Sequence, residues 1–184
     1  MTPFALHLLR HGAPVLPGRL MGRTDCPPTP EGIAACAVQA EDLGVERIVS
    51  SDLLRARAAA EAVGPTTIDA RWRELDFGDW EGLAPDQVDS AGLARFWEDP
   101  DANPPPGGER WSALVARVSD ALDALPPVST LVVSHGGAMR AALHLLCGFD
   151  QPQLWAFDLP YGVLVSLRVW PGDTPSAQIV GIYP

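Results

Sequence analysis

Short apolar runs recur along the chain, and they alternate with stretches in which apolar residues return at helical spacing. Six of the runs have the length and the aliphatic content of β-strands. They cover residues 4–9, 46–50, 66–70, 130–134, 163–169 and 177–183. Only "WPGDTPS" separates the last two runs. This short connection predicts a hairpin, and therefore an antiparallel pair of strands, at one edge of the sheet.

Helical patterns fill most of the intervals between the predicted strands. The predicted helices cover residues 30–43, 52–63, 109–125 and 137–147. Thr29 is suited to cap the first helix and Pro30 to open it, while Asp52 is suited to cap the second. In the third, the apolar residues form one stripe, which is typical of a helix packed on a core. The stripe consists of Trp111, Leu114, Val115, Val118, Leu122 and Leu125.

The alternation of strands and helices predicts an α/β fold with a mostly parallel sheet covered by helices on both faces. A chain of 184 residues with 47% hydrophobic positions is large enough for one globular domain with a closed core. No repeat divides it. The Pro- and Gly-rich stretch 97–108 is interpreted as a surface loop within an insertion at about residues 72–108. We therefore expect one domain over 1–184.

Charge and composition limit the classes of partner that the protein can bind. The net charge of −10 and a pI near 4.6 argue against nucleic acid and anionic membranes. No apolar run reaches the roughly 20 residues of a membrane-spanning helix, and no basic leader opens the chain, so we expect a cytoplasmic protein. The cysteines Cys26, Cys36 and Cys147 are odd in number and widely spaced. They are interpreted as small buried hydrophobes, not as a disulfide framework or a metal site.

Three predicted strands end in polar residues of the same kind. Arg10-His11-Gly12 follows the first, the segment from Ser51 to Arg55 follows the second, and His135-Gly136-Gly137 follows the fourth. Carboxyl ends of parallel strands meet at one edge of a sheet, which is where such folds bind ligands. Guanidinium groups, imidazoles and glycine amides together favour an anion such as phosphate. A metal site is the competing interpretation, but two histidines with no further ligand spacing do not make one.

The same residues suggest a reaction. A neutral imidazole can attack phosphorus while arginines compensate the phosphate charge without a metal. The leaving oxygen then needs an acid, and "RELDFGDWEG" at residues 73–82 offers carboxylates among aromatic residues that can raise their pKa. These carboxylates are Glu74, Asp76, Asp79 and Glu81. Reasoning from the residues alone leaves the choice between Glu74 and Glu81 open.

Four motifs in order, "LLRHG", "SSDLLRA", "RELDFGDWEG" and "VVSHGG", resemble the histidine phosphatase superfamily. The resemblance is to the branch that contains cofactor-dependent phosphoglycerate mutases and small phosphatases, and it covers residue 5 to about residue 148. It implies a three-layer α/β/α fold of the phosphoglycerate mutase type, with a mostly parallel sheet and an antiparallel edge. It also implies a phosphohistidine intermediate, with no metal and no cofactor.

The resemblance assigns roles to individual residues. His11 corresponds to the nucleophile, Arg10 and Arg55 to the residues that bind the phosphoryl group, and His135 to the residue that stabilises the transferring group. Glu74, which precedes "LDFG", corresponds to the proton donor, so that the resemblance selects it over Glu81. The expected partner is a small-molecule phosphomonoester, and assembly into a homodimer is left open.

Looser segments resemble the α-ribazole-5′-phosphate phosphatases within the superfamily. They are "GRLMGRTDCPPTPEG", "DFGDWEG" and "ANPPPGGE". This similarity implies α-ribazole 5′-phosphate or a similar small phosphometabolite as substrate, with Arg23 and Thr24 beside the phosphate. Gly136, after the fourth strand, is a further candidate for binding the phosphate. The Trp-rich stretch 72–111 would cover the substrate, and its tryptophans would either stack on a flat base or pack beneath a lid.

The chain departs from the family pattern at two points. "APVLPGR" replaces the segment in which many relatives carry a phosphate-binding Asn after the RHG motif, and Ala59 stands where threonine is usual. The chain is also short for a mutase, which favours hydrolysis. A phosphoglycerate mutase remains one alternative. An inactive phospholigand-binding module is another, although the presence of all five core residues weighs against it.

Overall fold

A computed structural model describes residues 2–184 and contains one six-stranded mixed sheet. The strands are β1 (Phe4–Arg10), β2 (Arg47–Ser50), β3 (Thr66–Ile68), β4 (Thr130–Ser134), β5 (Leu164–Trp170) and β6 (Ser176–Tyr183). Their order is β3-β2-β4-β1-β5-β6. The first four strands in this order pair in parallel, whereas β5 pairs antiparallel with both β1 and β6. The predicted hairpin at the edge is confirmed.

Over the described residues, six α-helices accompany the sheet. They are α1 (Pro30–Ala40), α2 (Leu54–Val63), α3 (Ser90–Glu98), α4 (Trp111–Asp123), α5 (Gly136–Cys147) and α6 (Gln151–Leu154). Two separate apolar clusters show that the sheet is covered on both faces, because neighbouring residues of β1 contribute to different clusters. Leu8 packs with residues of α4 and α5, and Leu9 packs with residues of α1 and α2. The expected three-layer α/β/α fold is therefore confirmed. In the described part of the chain, no helix is both long and apolar enough to span a membrane.

One predicted helix cap is confirmed and the other is wrong. The Thr29 side chain accepts a hydrogen bond from the Gly32 N–H at 3.0 Å, as expected for the start of α1. Asp52 does not cap α2, because its carboxylate instead binds the Arg73 guanidinium. The free N–H of Leu54 is bound by Asp25, at 2.7 Å, from the loop between β1 and α1. A residue distant in sequence therefore performs the capping.

Residues 99–108 lie in turns and irregular backbone, which accounts for most of the loop predicted at 97–108. The segment between β3 and α4 also contains short regular elements. It contains 3₁₀ turns at Ala70–Trp72, Gly78–Trp80 and Pro85–Gln87 as well as helix α3. Phe96 of α3 is buried and makes edge-on contacts with Phe77 and Trp80. These aromatic contacts hold α3 against the 3₁₀ turn at Gly78–Trp80.

Candidate active site

The candidate site lies where β2, β4 and β1 end side by side. Ser51 follows β2, His135 follows β4 and His11 follows β1. Backbone pairing continues beyond the strands, because the His11 N–H donates to the Ser134 carbonyl at 2.9 Å and the Ser51 N–H to the Val133 carbonyl at 3.2 Å. The rings of His11 and His135 are consequently 5.0 Å apart between centroids. The predicted convergence at the sheet edge is present.

A cavity of about 210 Å³ opens at this edge. Its lining includes five of the predicted site residues: Arg10, His11, Arg55, Glu74 and Gly136. Aromatic side chains contribute much of the remaining wall, namely Phe77, Phe96, Trp97, Trp111, Trp155 and Tyr161. The cavity therefore joins a cationic, imidazole-bearing region to an aromatic one.

His11 has the protonation and orientation of a nucleophile. Its Nδ1 lies 2.7 Å from the Gly12 carbonyl, which can only accept, so Nδ1 carries the proton and the Nε2 lone pair is free. The ring is only 4% exposed. Burial, followed by the positive charge of Arg55, lowers the pKa of His11 to about 3. The imidazole is thus neutral at physiological pH, as attack on phosphorus requires.

Gly12 and Gly32 hold this turn against α1. A Cβ atom on Gly12 would lie 2.0 Å from the Gly32 carbonyl oxygen, which is a severe steric clash. Any other residue at position 12 would therefore push the turn away from α1. The glycine thus permits close approach of the turn to the start of the helix, and its own carbonyl fixes the His11 tautomer.

Among the residues that the structure describes, three buried nitrogen atoms beside His11 have no hydrogen-bond partner: Arg10 Nε, Arg55 Nε and His135 Nδ1. His135 is fully buried, and its Nε2 lies 2.7 Å from Ser51 Oγ. Burial, then the charge of Arg55, lowers the pKa of His135 well below its ordinary value. If Ser51 donates to Nε2, then Nδ1 of the neutral ring carries a proton. Unpartnered buried donors require an explanation, and a bound anion would provide it.

The Arg55 guanidinium is fixed by a loop. Its terminal nitrogens donate to the carbonyl oxygens of Met21, Gly22 and Thr24, each at 2.8 Å. The Glu81 carboxylate holds the same loop from the other side by accepting backbone N–H groups of Gly22, Arg23, Thr24 and Phe77 at 2.8–3.2 Å. Arg55 is therefore oriented before any ligand arrives.

The geometry favours Glu74 over Glu81 as the acid. Glu74 lines the cavity, and both its oxygens accept from the Gly137 N–H, at 2.9 and 3.1 Å. Burial tends to raise the pKa of Glu81, but hydrogen bonds from Thr24, Arg23 and Phe77 outweigh this effect and keep the pKa below its ordinary value. Glu81 is a structural carboxylate, whereas Glu74 is adjacent to the space a ligand would fill.

Arg23 and Thr24 are not brought to the cavity as expected. The Arg23 side chain is directed to Asp76 and Glu109, at 4.0 and 3.9 Å, and Thr24 contributes its backbone to the loop that holds Arg55. Their effect on a phosphate would be indirect.

The tryptophans of the Trp-rich stretch fall into two groups. Trp97 and Trp111 line the cavity, whereas Trp72 and Trp80 are packed in the core. Trp72 and Trp80 thus pack inside the protein, whereas stacking of Trp97 and Trp111 on a flat base stays a prediction.

Four contributors were not singled out from the sequence: Ser51, Arg117, Arg140 and Tyr161. Arg117 donates to the Glu74 carbonyl at 2.9 Å and thereby fixes the backbone of the predicted acid. Ser51 could have been found, because it directly follows a predicted strand within "SSDLLRA". Arg140 lies one helical turn after Gly136, on the helix that follows "VVSHGG". Within residues 2–184, no group of three or more His, Cys, Asp or Glu side chains is arranged to hold a metal ion.

The lowered pKa of His11 gives a direct test. In the folded protein we expect this ring to stay neutral between about pH 5 and pH 8, whereas in the urea-unfolded chain it should titrate near 6.5. Since the unfolded state binds the proton more readily, the stabilisation from His11 is complete above about pH 6.5 and is lost as the pH falls toward 3. Ring ¹⁵N chemical shifts measure the titration directly. A midpoint near 6.5 in the folded protein would contradict the proposed environment.

Comparison with known proteins identifies the family. Residues 6–179 match the family described as histidine phosphatase superfamily, branch 1. The glucosyl-3-phosphoglycerate phosphatase of Mycolicibacterium vanbaalenii is 34% identical, over 78% of this chain and 74% of the relative. A Salmonella paratyphi B protein named "Probable phosphoglycerate mutase GpmB" is 33% identical over the same shares. The solved mycobacterial glucosyl-3-phosphoglycerate phosphatase has a TM-score of 0.82 and 25% identity, covering 97% of each chain.

The sheet topology, the paired histidines and these matches define a phosphoryl-transfer enzyme of the phosphoglycerate mutase-like type. The chain belongs to the histidine phosphatase superfamily, and it is a phosphatase of that superfamily.

Proposed function

We propose that the chain hydrolyses a small phosphomonoester without a metal, through a phosphohistidine on His11 Nε2. The observation that carries this proposal is the state of His11: a buried, neutral imidazole whose Nδ1 is committed to the Gly12 carbonyl, beside three buried donors without partners. Two of these donors belong to arginines, Arg10 and Arg55. Their positive charge compensates the phosphate charge during transfer.

The first step transfers the phosphoryl group to the enzyme. Nε2 of His11 bonds to phosphorus as the bond between phosphorus and the ester oxygen breaks, and protonated Glu74 gives its proton to that oxygen. The Arg10, Arg55 and His135 donors bind the non-bridging oxygens, on which charge accumulates. An alcohol departs, and the phosphohistidine and the Glu74 carboxylate remain.

The second step restores the enzyme. The Glu74 carboxylate takes a proton from water while the water oxygen attacks phosphorus and the phosphorus–nitrogen bond breaks. Inorganic phosphate leaves, His11 returns to the neutral state, and Glu74 is again protonated. One carboxyl group therefore acts first as acid and then as base.

Two substrates have support. The aromatic wall that includes Trp97, Trp111 and Trp155 suits the flat base of α-ribazole 5′-phosphate, which the sequence motifs also favour. The curated relative of 34% identity instead carries the name glucosyl-3-phosphoglycerate phosphatase. The mutase-like relative keeps isomerisation of phosphoglycerate as a further alternative.

Phosphate release from a panel tests the proposal. The panel contains α-ribazole 5′-phosphate, glucosyl-3-phosphoglycerate, phosphoglycerates, sugar phosphates and nucleotides, each assayed with and without EDTA. We expect free phosphate from at least one small monoester, at a rate that EDTA leaves unchanged. Loss of activity in EDTA would contradict the metal-independent mechanism. Isomerised phosphoglycerate in place of free phosphate would show a mutase, and phospholigand binding without turnover would show an inactive module.

A further inference from the structure

Besides Arg10 and Arg55, the guanidinium of Arg140 lines the cavity and has no part in the transfer described above. Arg140 lies in α5, and its guanidinium carbon is 4.6 Å from the centroid of the Trp155 ring. A Cβ atom on Gly136 would lie 3.2 Å from Arg140 Nη1 and 3.7 Å from the Arg10 guanidinium carbon. The two cations therefore flank the same turn, next to the phosphate-binding region.

The hydrogen-bonding capacity of Arg140 is largely unused. Its two bonds within residues 2–184 are long, to the Gly136 carbonyl at 3.4 Å and the Phe157 carbonyl at 3.3 Å, and its buried Nε has no partner there. Arg117 shows what a structural arginine looks like in this protein: it donates five hydrogen bonds of 2.7–2.9 Å to Glu109 and to backbone carbonyls. Arg140 thus retains donors that a ligand could engage.

Arg140 also lacks a carboxylate partner. In the part of the chain that the structure describes, Arg140 forms no ion pair within 4.0 Å, whereas Arg23, Arg71, Arg73 and Arg117 are paired. Its pKa is lowered by burial, so the charge is only partly compensated. A half-buried cation in an acidic protein, facing a cavity, is a suitable site for an anionic group of the ligand.

The anionic group would belong to the leaving group. Glu74 contacts the Gly137 N–H in the first turn of α5, one turn before Arg140, and its charge is the largest influence that opposes burial on the Arg140 pKa. Since Glu74 protonates the leaving oxygen in the proposed mechanism, Arg140 is on the leaving-group side. One guanidinium offers one planar fork, which matches a carboxylate.

We propose that Arg140 binds a carboxylate of the leaving group, so that phosphomonoesters of hydroxy acids are preferred over those of neutral alcohols. This inference rests on the proposed phosphatase function and specifies its substrate class. It also separates the two supported substrates, because glucosyl-3-phosphoglycerate carries a carboxylate and α-ribazole 5′-phosphate does not. The aromatic wall would then contact the remainder of the leaving group.

A matched pair of substrates tests the inference. D-3-phosphoglycerate carries a carboxylate where sn-glycerol 3-phosphate carries a hydroxymethyl group. The readout is the kcat/KM value for D-3-phosphoglycerate divided by that for sn-glycerol 3-phosphate. We expect a wild-type ratio above one and a reduction of this ratio by about 10- to 100-fold in Arg140→Met, which loses a charged hydrogen bond. Arg140→Lys keeps the charge without the fork and should restore part of the ratio. Arg168→Met, at an exposed position of β5, changes the net charge equally and should leave the ratio unchanged.

The outcomes distinguish the inference from the proposed function. An equal decrease for both substrates in Arg140→Met would overturn the inference, since it would indicate a phosphate contact or a structural role. A wild-type ratio near one, with p-nitrophenyl phosphate still hydrolysed, would overturn it as well and leave the phosphatase function intact. Failure of the wild type to release phosphate from any of these three compounds and from every compound of the panel described above would instead overturn the proposed function. If Arg140→Met does not fold, an unchanged ratio in Arg140→Lys overturns the inference.

Discussion

Replacing His11 with alanine is expected to reduce phosphate release by about 10⁴-fold or more, because the variant has no atom to accept the phosphoryl group. The neighbouring Arg10, Arg55 and His135 would still bind phosphate, so KM should change much less than kcat. A rapid-quench reaction with ³²P-labelled substrate measures both turnover and the phosphoenzyme. In the wild type the label should be acid-labile and alkali-stable, as for a phosphohistidine, and in His11→Ala it should be absent.

His7 provides the matched control for this experiment. It lies on β1, the strand that His11 follows, and its Nδ1 contacts Ser166 Oγ at 2.9 Å, away from the site. His7→Gln retains a side chain able to bind Ser166 and should therefore keep both turnover and labelling. Labelling that persists in His11→Ala would contradict the mechanism. Labelling lost in His7→Gln would show that replacing a β1 histidine is enough to abolish labelling, so that the His11→Ala result would not identify the nucleophile.

The convergence of the site was predictable because it depends on backbone topology. Polar residues after three predicted strands come together whenever these strands are parallel neighbours, and β2, β4 and β1 are. The tautomer of His11 could also be predicted, because it depends on the backbone carbonyl of the next residue. Local sequence and one topological rule therefore suffice to predict that His11 and His135 lie together.

Contacts between distant side chains were not predictable in this way. Asp25 caps α2 across a loop, and Glu81 binds backbone N–H groups more than fifty residues earlier in the chain. Helix α3 was hidden within the predicted insertion, because Gly92 weakens its helical signal and its stability comes from the packing of Phe96 against other aromatic residues. Each of these features depends on tertiary contacts that a one-dimensional pattern does not encode.

The Arg23 and Thr24 expectation illustrates the same limit. Their motif was associated with phosphate, but the structure uses the backbone of this loop, which accepts hydrogen bonds from Arg55 through the Met21, Gly22 and Thr24 carbonyls. Motif similarity indicates that a segment takes part in a site. It does not distinguish a residue that contacts the ligand from one that positions another residue.

Glu74→Gln is expected to reduce kcat for an alkyl phosphate by about 10²- to 10³-fold, because glutamine cannot protonate the leaving oxygen. With p-nitrophenyl phosphate the first step should be nearly unaffected, since nitrophenolate departs without a proton. The second step should remain slow, because glutamine cannot take a proton from water. Stopped-flow absorbance should therefore show a burst of nitrophenolate equal to the enzyme concentration, followed by slow turnover.

Glu81→Gln is the matched comparison, because the two glutamates lie in the same motif but make different contacts. Glu81 accepts four backbone N–H groups, and an amide replaces one accepting oxygen with a donor. We expect a loss of about 1–3 kcal/mol in the free energy of unfolding, measured with urea. The substitution loosens the loop that orients Arg55, and Arg55 acts in both chemical steps. Turnover of the alkyl phosphate and of p-nitrophenyl phosphate should therefore decrease by similar factors, and neither should show a burst. Leaving-group dependence in Glu81→Gln, together with none in Glu74→Gln, would reverse the assignment of the acid.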